Sequence, residues 1–209
     1  MKLIKPSYQF ETYIDRGLIL SRIEMAGRTC YKSEPKGDAG RFVKMLVKRR
    51  HLSVLEHVSI SVRFICDRGF SHELVRHRIG SYSQESTRFC DYQGMDIEFI
   101  IPPWVNIEEG EYTQQYGHYE GGDHQWFDTM LALEGTYESM RRSGWSPQMA
   151  RTVLPSSLKT EIVATYNLRQ WIEVLAQRTA PDAHPQMREL MIPLGEDLAG
   201  LLPEVFGCN

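Results

Sequence analysis

Cysteine is scarce in this chain and never paired: Cys30, Cys66, Cys90 and Cys208 lie far apart, with no C-x-x-C among them. That spacing argues against a disulfide framework or a zinc ribbon. Metal-binding patterns are missing too. The seven histidines make no H-E-x-x-H, and His72 and His77 stand off the spacing that puts two ligands on one helical face. No metal site is expected. No apolar run approaches the roughly eighteen residues of a membrane span, so no membrane partner is expected. Met1 to Phe10 mixes polar and aromatic residues without the apolar core of a secretory leader. A reducing cytoplasm is the resulting expectation. Basic excess is also lacking. The net charge of −3 disfavours a general nucleic-acid coat, which needs cations to displace counterions from phosphates. Any anion site must be a local arginine cluster on an acidic background.

What is present is an ordinary soluble composition, 42% hydrophobic and 24% charged over 209 residues, without repeat or linker. One domain, 1–209, is expected. Val58 to Cys66 alternates as a half-buried strand, and Lys159 to Tyr166 does the same through Thr160, Ile162, Ala164 and Tyr166. Asp96 to Ile101 reads as another strand. Arg41 to Arg50 and Asp123 to Arg142 read as helices, with Val105 to Gly122 an irregular excursion between elements. Ser71 is placed as the N-cap of a helix burying Leu74, Val75 and Ile79 and stopping at Gly80. Asn167 caps a helix with the stripe Leu168, Trp171, Ile172 and Leu175, and His184-Pro185 opens a last long helix. Strands and helices mix without regular βαβ alternation, which predicts an α+β fold with an antiparallel or mixed sheet flanked by helices.

The chemistry concentrates in RHRIGSYSQESTRF, from Arg76 to Phe89. Cationic side chains at a helix end, then Ser83, Gln84, Ser86 and Thr87, then Arg88, suit a phosphorylated ligand, because guanidinium binds phosphate bidentately. A solvated basic helix end making surface ion pairs explains the same residues without a ligand. Two further readings stay open beside an enzyme of nucleotide chemistry. One is a flavoprotein of another reaction class, the other a non-catalytic nucleotide-binding module.

The stretch resembles the signature of flavin-dependent thymidylate synthases, an R-H-R followed by S-x-N-E-x-S-x-R-Y. Ser83 stands where Asn is usual, Gln84 where Glu is usual, and Phe89 where Tyr is usual. Glu56-His57, Ala150 to Pro155 (ARTVLP), and Asn167-Leu168-Arg169 with Arg178 nine residues on resemble the family in the same order. The resemblance implies reductive methylation of dUMP to dTMP, with 5,10-methylenetetrahydrofolate as carbon donor and FAD, reduced by NADPH, as hydride source. It implies flavin contacts at His57, Ser59, Arg76, His77, Arg78, Gln84, Asn167, Arg169 and Glu173. It implies dUMP contacts at Glu73, Leu74, Val75, Arg76, Gln84, Glu85, Ser86, Thr87, Arg88, Arg151 and Arg178. Arg178 is the expected catalytic residue, favouring loss of the pyrimidine N3 proton by stabilising the anion. The family also implies a homotetramer with active sites shared between subunits. At about 100° per residue, Arg169 and Glu173 fall on one flank of their helix and Asn167 and Arg178 on the other, in keeping with shared sites. Ser86 has no His–Asp pair to activate it as a nucleophile, so it is read as a phosphate ligand.

Overall fold

In a computed structural model, residues 1–35, 37–113 and 121–207 are described. Along the chain the elements are β1 (Lys2–Ile4), β2 (Ser7–Phe10), α1 (Arg16–Tyr31), α2 (Ala39–Lys48), β3 (Ser59–Asp67), α3 (Arg68–Leu74), β4 (Ser81–Gln84), β5 (Glu98–Ile100), β6 (Gly110–Glu111), α4 (Gly121–Arg142), α5 (Pro147–Ala150), β7 (Lys159–Asn167), α6 (Leu168–Arg178), α7 (Pro185–Leu201) and α8 (Pro203–Phe206). The expected α+β class holds. The strands form two sheets, ordered β5-β1-β6 and β2-β3-β7-β4.

The chain divides into two compact units, each assembled from three separate segments, so no single cut in the sequence divides them. The first comprises Met1–Ser7, Phe64–Arg76 and Ser83–Ile162. Its sheet is mixed, with β1 parallel to β5 and antiparallel to β6. Leu3 and Phe99 from this sheet, and Ile97 just before β5, pack with Phe127, Met130 and Tyr137 of α4 in one apolar cluster. The second unit comprises Tyr8–Arg63, His77–Tyr82 and Val163–Asn209. There α1 packs on α2, α2 on α8 and α6 on α7.

Both long alternating strands form as their periodicity predicts. Ile60, Val62, Phe64 and Cys66 of β3 are buried, as are Thr160, Ile162, Ala164 and Tyr166 of β7. Period-two alternation has one structural solution when one face is covered. Asn167 caps α6 by accepting from the Gln170 N–H at 2.8 Å, and His184 caps α7.

Two expectations are corrected. The helix before the R-H-R triplet begins at Arg68, because the Asp67 carboxylate accepts from the Phe70 N–H at 2.6 Å and caps it. Ser71 sits inside that helix, fully buried, donating its hydroxyl to the Arg68 carbonyl at 3.0 Å. The helix stops at Leu74, leaving Val75 38% and Ile79 66% exposed. Arg76, His77 and Arg78 therefore lie beyond the helix rather than in its last turn. The polar stretch after Gly80 opens as strand β4 at Ser81–Gln84. The Val105 to Gly122 excursion contains β6, which pairs with β1; residues 114–120 of it lie outside the described residues, as does Cys208.

Candidate functional site

In the second unit, α6 is anchored by burial of Leu168, Trp171, Val174 and Leu175, and the Trp171 indole donates to the Ile60 carbonyl at 3.0 Å. This anchoring fixes the far end of the helix, where Arg178 is the last helical residue. Its Nε donates to His77 Nε2 at 2.9 Å. Only an unprotonated Nε2 can accept that bond, so His77 is the neutral tautomer carrying its proton on Nδ1. Burial, and then the Arg178 guanidinium, hold the His77 pKa below its ordinary value, in agreement with a neutral ring. The His77 carbonyl accepts from the Tyr82 hydroxyl, and Tyr82 and Tyr166 share a hydroxyl–hydroxyl bond of 2.7 Å. The Tyr166 ring stands edge-on to His77 and to Trp171. Burial pushes the Tyr166 phenol well above its usual range, keeping it a neutral link. Gly80 closes the arrangement: a Cβ there would lie 2.3 Å from the Tyr166 ring. The centre of the triplet is thus clamped, while Arg76 and Arg78 on either side are exposed.

Arg169 is held otherwise. Its Nη1 pairs with Glu56 at 2.6 Å, and its Nε lies 3.9 Å from Glu173. It lines a cleft of about 440 Å³ with Gly27, Cys30, Arg50, His51 and Ser53. Guanidinium, imidazole and hydroxyl donors around that volume fit a phosphate-bearing group. His57 lines a different cleft, beside Leu18, Arg22 and Met25. Ser59 is exposed at the start of β3, and the Asn167 side-chain oxygen is spent on the helix cap. The expected flavin contacts of this unit are therefore spread over several surfaces. Arg50, His51 and Ser53 did not stand out in the sequence. The available signal was the basic run Lys48-Arg49-Arg50-His51 leaving α2.

The first unit holds the other group. Gln84 Nε2 donates to Ser71 Oγ at 2.9 Å and to Thr160 Oγ1 at 3.2 Å. Glu85 is turned into an ionic cluster, accepting from the Tyr92 hydroxyl at 2.7 Å and pairing with Lys159 at 3.2 Å. Ser86 tightens the following turn: its carbonyl accepts from the Phe89 and Cys90 N–H groups, and its hydroxyl from the Arg88 N–H at 3.3 Å. Arg151 reaches Thr87 Oγ1 at 3.4 Å, and Arg88 reaches Gln148 at 3.3 Å. Ser86, Thr87 and Arg88 share one short segment, and the Arg151 guanidinium reaches Thr87 on it. Leu74 is wholly buried, so only its backbone is available to a ligand, whereas Glu73 is half-buried and Val75 and Arg76 are exposed. Among the described residues no cluster of metal-ligating side chains occurs, and no helix is long and apolar enough to cross a membrane.

A family model described as thymidylate synthase complementing protein matches residues 19–204. The flavin-dependent thymidylate synthase of Mycolicibacterium gilvum is 32% identical over 221 residues, covering 96% of this chain and 83% of the relative. That of Mycobacterium avium is 33% identical over 216 residues, covering 98% and 84%. Among solved structures, the UMP/dUMP methylase PolB from Streptomyces cacaoi, bound with 5-Br dUMP, superposes with a TM-score of 0.77. At 24% identity over 99% of this chain and 96% of that one, it attests the fold.

Proposed function

The chain belongs to the flavin-dependent thymidylate synthase family, and on that premise we propose that it converts dUMP to dTMP by reductive methylation. In this reading 5,10-methylenetetrahydrofolate gives the carbon, and bound FAD, reduced by NADPH, supplies the hydride. The observation that carries the reading is Arg178 donating to a neutral His77.

Arg178 cannot serve as a base at neutral pH; it stabilises the pyrimidine anion as the N3 proton leaves. His77 acts through Arg178, fixing the direction of the guanidinium without neutralising it. Ser86, Thr87, Arg88 and Arg151 take the nucleotide phosphate, and Gln84 offers its side-chain carbonyl as an uncharged acceptor. Arg76 supplies the charge that offsets Glu73. Arg169, with Glu173 beside it, holds a flavin phosphate together with Arg50, His51 and Ser53, whose donors fit such a group. Arg78, His57, Ser59 and Asn167 complete the assignment that the family resemblance implies. Residues 1–209 act as one functional domain, in a cytoplasmic homotetramer whose sites are shared between subunits.

The test is anaerobic incubation of the flavin-loaded protein with dUMP, methylenetetrahydrofolate and NADPH, followed by chromatography for dTMP. Flavin-loaded protein that oxidises NADPH but makes no dTMP would overturn the reading. UMP run beside dUMP defines which sugar the site accepts.

A further inference from the structure

The segment that carries the proposed phosphate ligands hangs from the first three residues of β7. Thr160 Oγ1, fully buried, accepts from the Gln84 side chain at 3.2 Å. The Glu161 carbonyl accepts the Glu85 N–H at 2.9 Å. Lys159 grips the Glu85 side chain, Nζ to Oε2 at 3.2 Å, while Tyr92 donates to Oε1 at 2.7 Å. Lys159 also meets Glu161 at 2.9 Å and Glu98 at 3.8 Å, and Lys2 meets Glu98 at 2.8 Å. Three carboxylates thus converge on Lys159, whose side chain is only 15% exposed beside a Glu85 side chain at 17%. Burial alone would lower the ammonium pKa. The neighbouring Glu161 and Glu85 carboxylates outweigh it and raise the pKa, so Lys159 stays charged throughout the working range. Glu85 directly precedes Ser86 in the chain. An uncompensated carboxylate there would repel a phosphate dianion and would loosen the turn from Ser86 to Arg88.

We propose that Lys159 is a positioning residue for the nucleotide: it neutralises Glu85 and draws it out of the anion cradle, holding Ser86, Thr87 and Arg88 ready for a phosphate. This rests on the reading of dUMP as substrate. It also reassigns Glu85 from ligand contact to support.

Three variants test it with flavin-loaded protein: Lys159→Met, Lys159→Arg, and the double variant Lys159→Met/Glu85→Gln. Lys159→Met should raise the KM for dUMP about tenfold or more while kcat at saturation stays within about twofold, the mark of lost ground-state binding. Lys159→Arg should restore KM, because the charge returns. The double variant should recover most of the loss, because the carboxylate has gone. A KM for Lys159→Met equal to that of the parent overturns the inference. So does a parallel fall of KM performance, kcat and flavin occupancy that neither second variant repairs. Equilibrium dialysis of the parent protein against dUMP keeps the two readings apart: a parent that binds none removes the substrate assignment and this inference with it. A parent that binds and methylates dUMP, with variants indistinguishable from it, removes Lys159 alone.

Discussion

Arg169 and Arg178 share one helix and are held by opposite kinds of acceptor. Nine residues apart, they stand about 180° around the axis and about 14 Å along it. Arg169 pairs with the Glu56 carboxylate and has Glu173 close by. Arg178 gives its Nε to a neutral imidazole that is itself wedged by Tyr82 and Tyr166. A carboxylate fixes a guanidinium and offsets part of its charge in the same contact. A neutral acceptor fixes the direction of the guanidinium and offsets none of its charge in that contact. The first arrangement suits a binding wall, the second a group that must meet charge as it develops.

The largest expected effect separates the two outright. Arg178→Ala should lower kcat by about a hundredfold to a thousandfold, the usual loss when one oriented donor to a developing anion is removed. Flavin content, read from absorbance of the purified protein, should stay at the parental level. Arg169→Ala should do the reverse: flavin affinity falls by about tenfold or more, as for a lost charge-assisted hydrogen bond. Turnover at saturating FAD should remain within a few-fold. Colour and kcat lost together in both variants would erase the distinction.

Acidification probes the neutral acceptor itself. The His77 pKa lies below its ordinary 6.5 in the folded protein, so the unfolded chain binds the proton first. The stability contributed by the buried neutral ring is therefore complete above pH 6.5 and is lost as pH falls through the window below it. The Arg178 bond goes with it, since a protonated Nε2 cannot accept. Turnover should be flat above that window and fall below it, by up to about tenfold per pH unit for a single titration. A profile unchanged in His77→Gln would assign the acid limb to another group. Tyr82→Phe is the mildest probe. It removes the hydroxyl that holds the His77 carbonyl, at a cost of about 1 kcal/mol or a Tm drop of about 2–4 °C, measured by thermal melting.

The alternating strands and the two helix caps were readable from sequence because period and cap chemistry are local properties. Arg178 was readable only through family resemblance, since nothing local distinguishes it from an ordinary arginine ending a helix. Its partner was not readable at all: His77 and Arg178 lie 101 residues apart, and the bond exists only once α6 is docked. The start of α3 was misplaced because two good caps, Asp67 and Ser71, stand four residues apart and both suit the role. Burial decided for Asp67. Glu85 illustrates the same limit, because a charged residue inside a ligand motif gives no sign that a lysine 74 residues away will claim it.

The sequence pattern makes Gly80 a helix stop, and its close approach to Tyr166 gives it a different significance. Every other amino acid brings a Cβ, and that atom would fall inside the Tyr166 ring envelope with the Thr165 carbonyl 3.2 Å behind it. The position is therefore closed to mutational drift unless Tyr166 shrinks at the same time, and Tyr166 is itself tied to Tyr82, His77 and Trp171. A lineage could exchange its surface arginines one at a time, but this corner can change only by several coordinated steps. Library searches for altered substrate range would do best to leave it fixed and to vary Ser83 and Gln84.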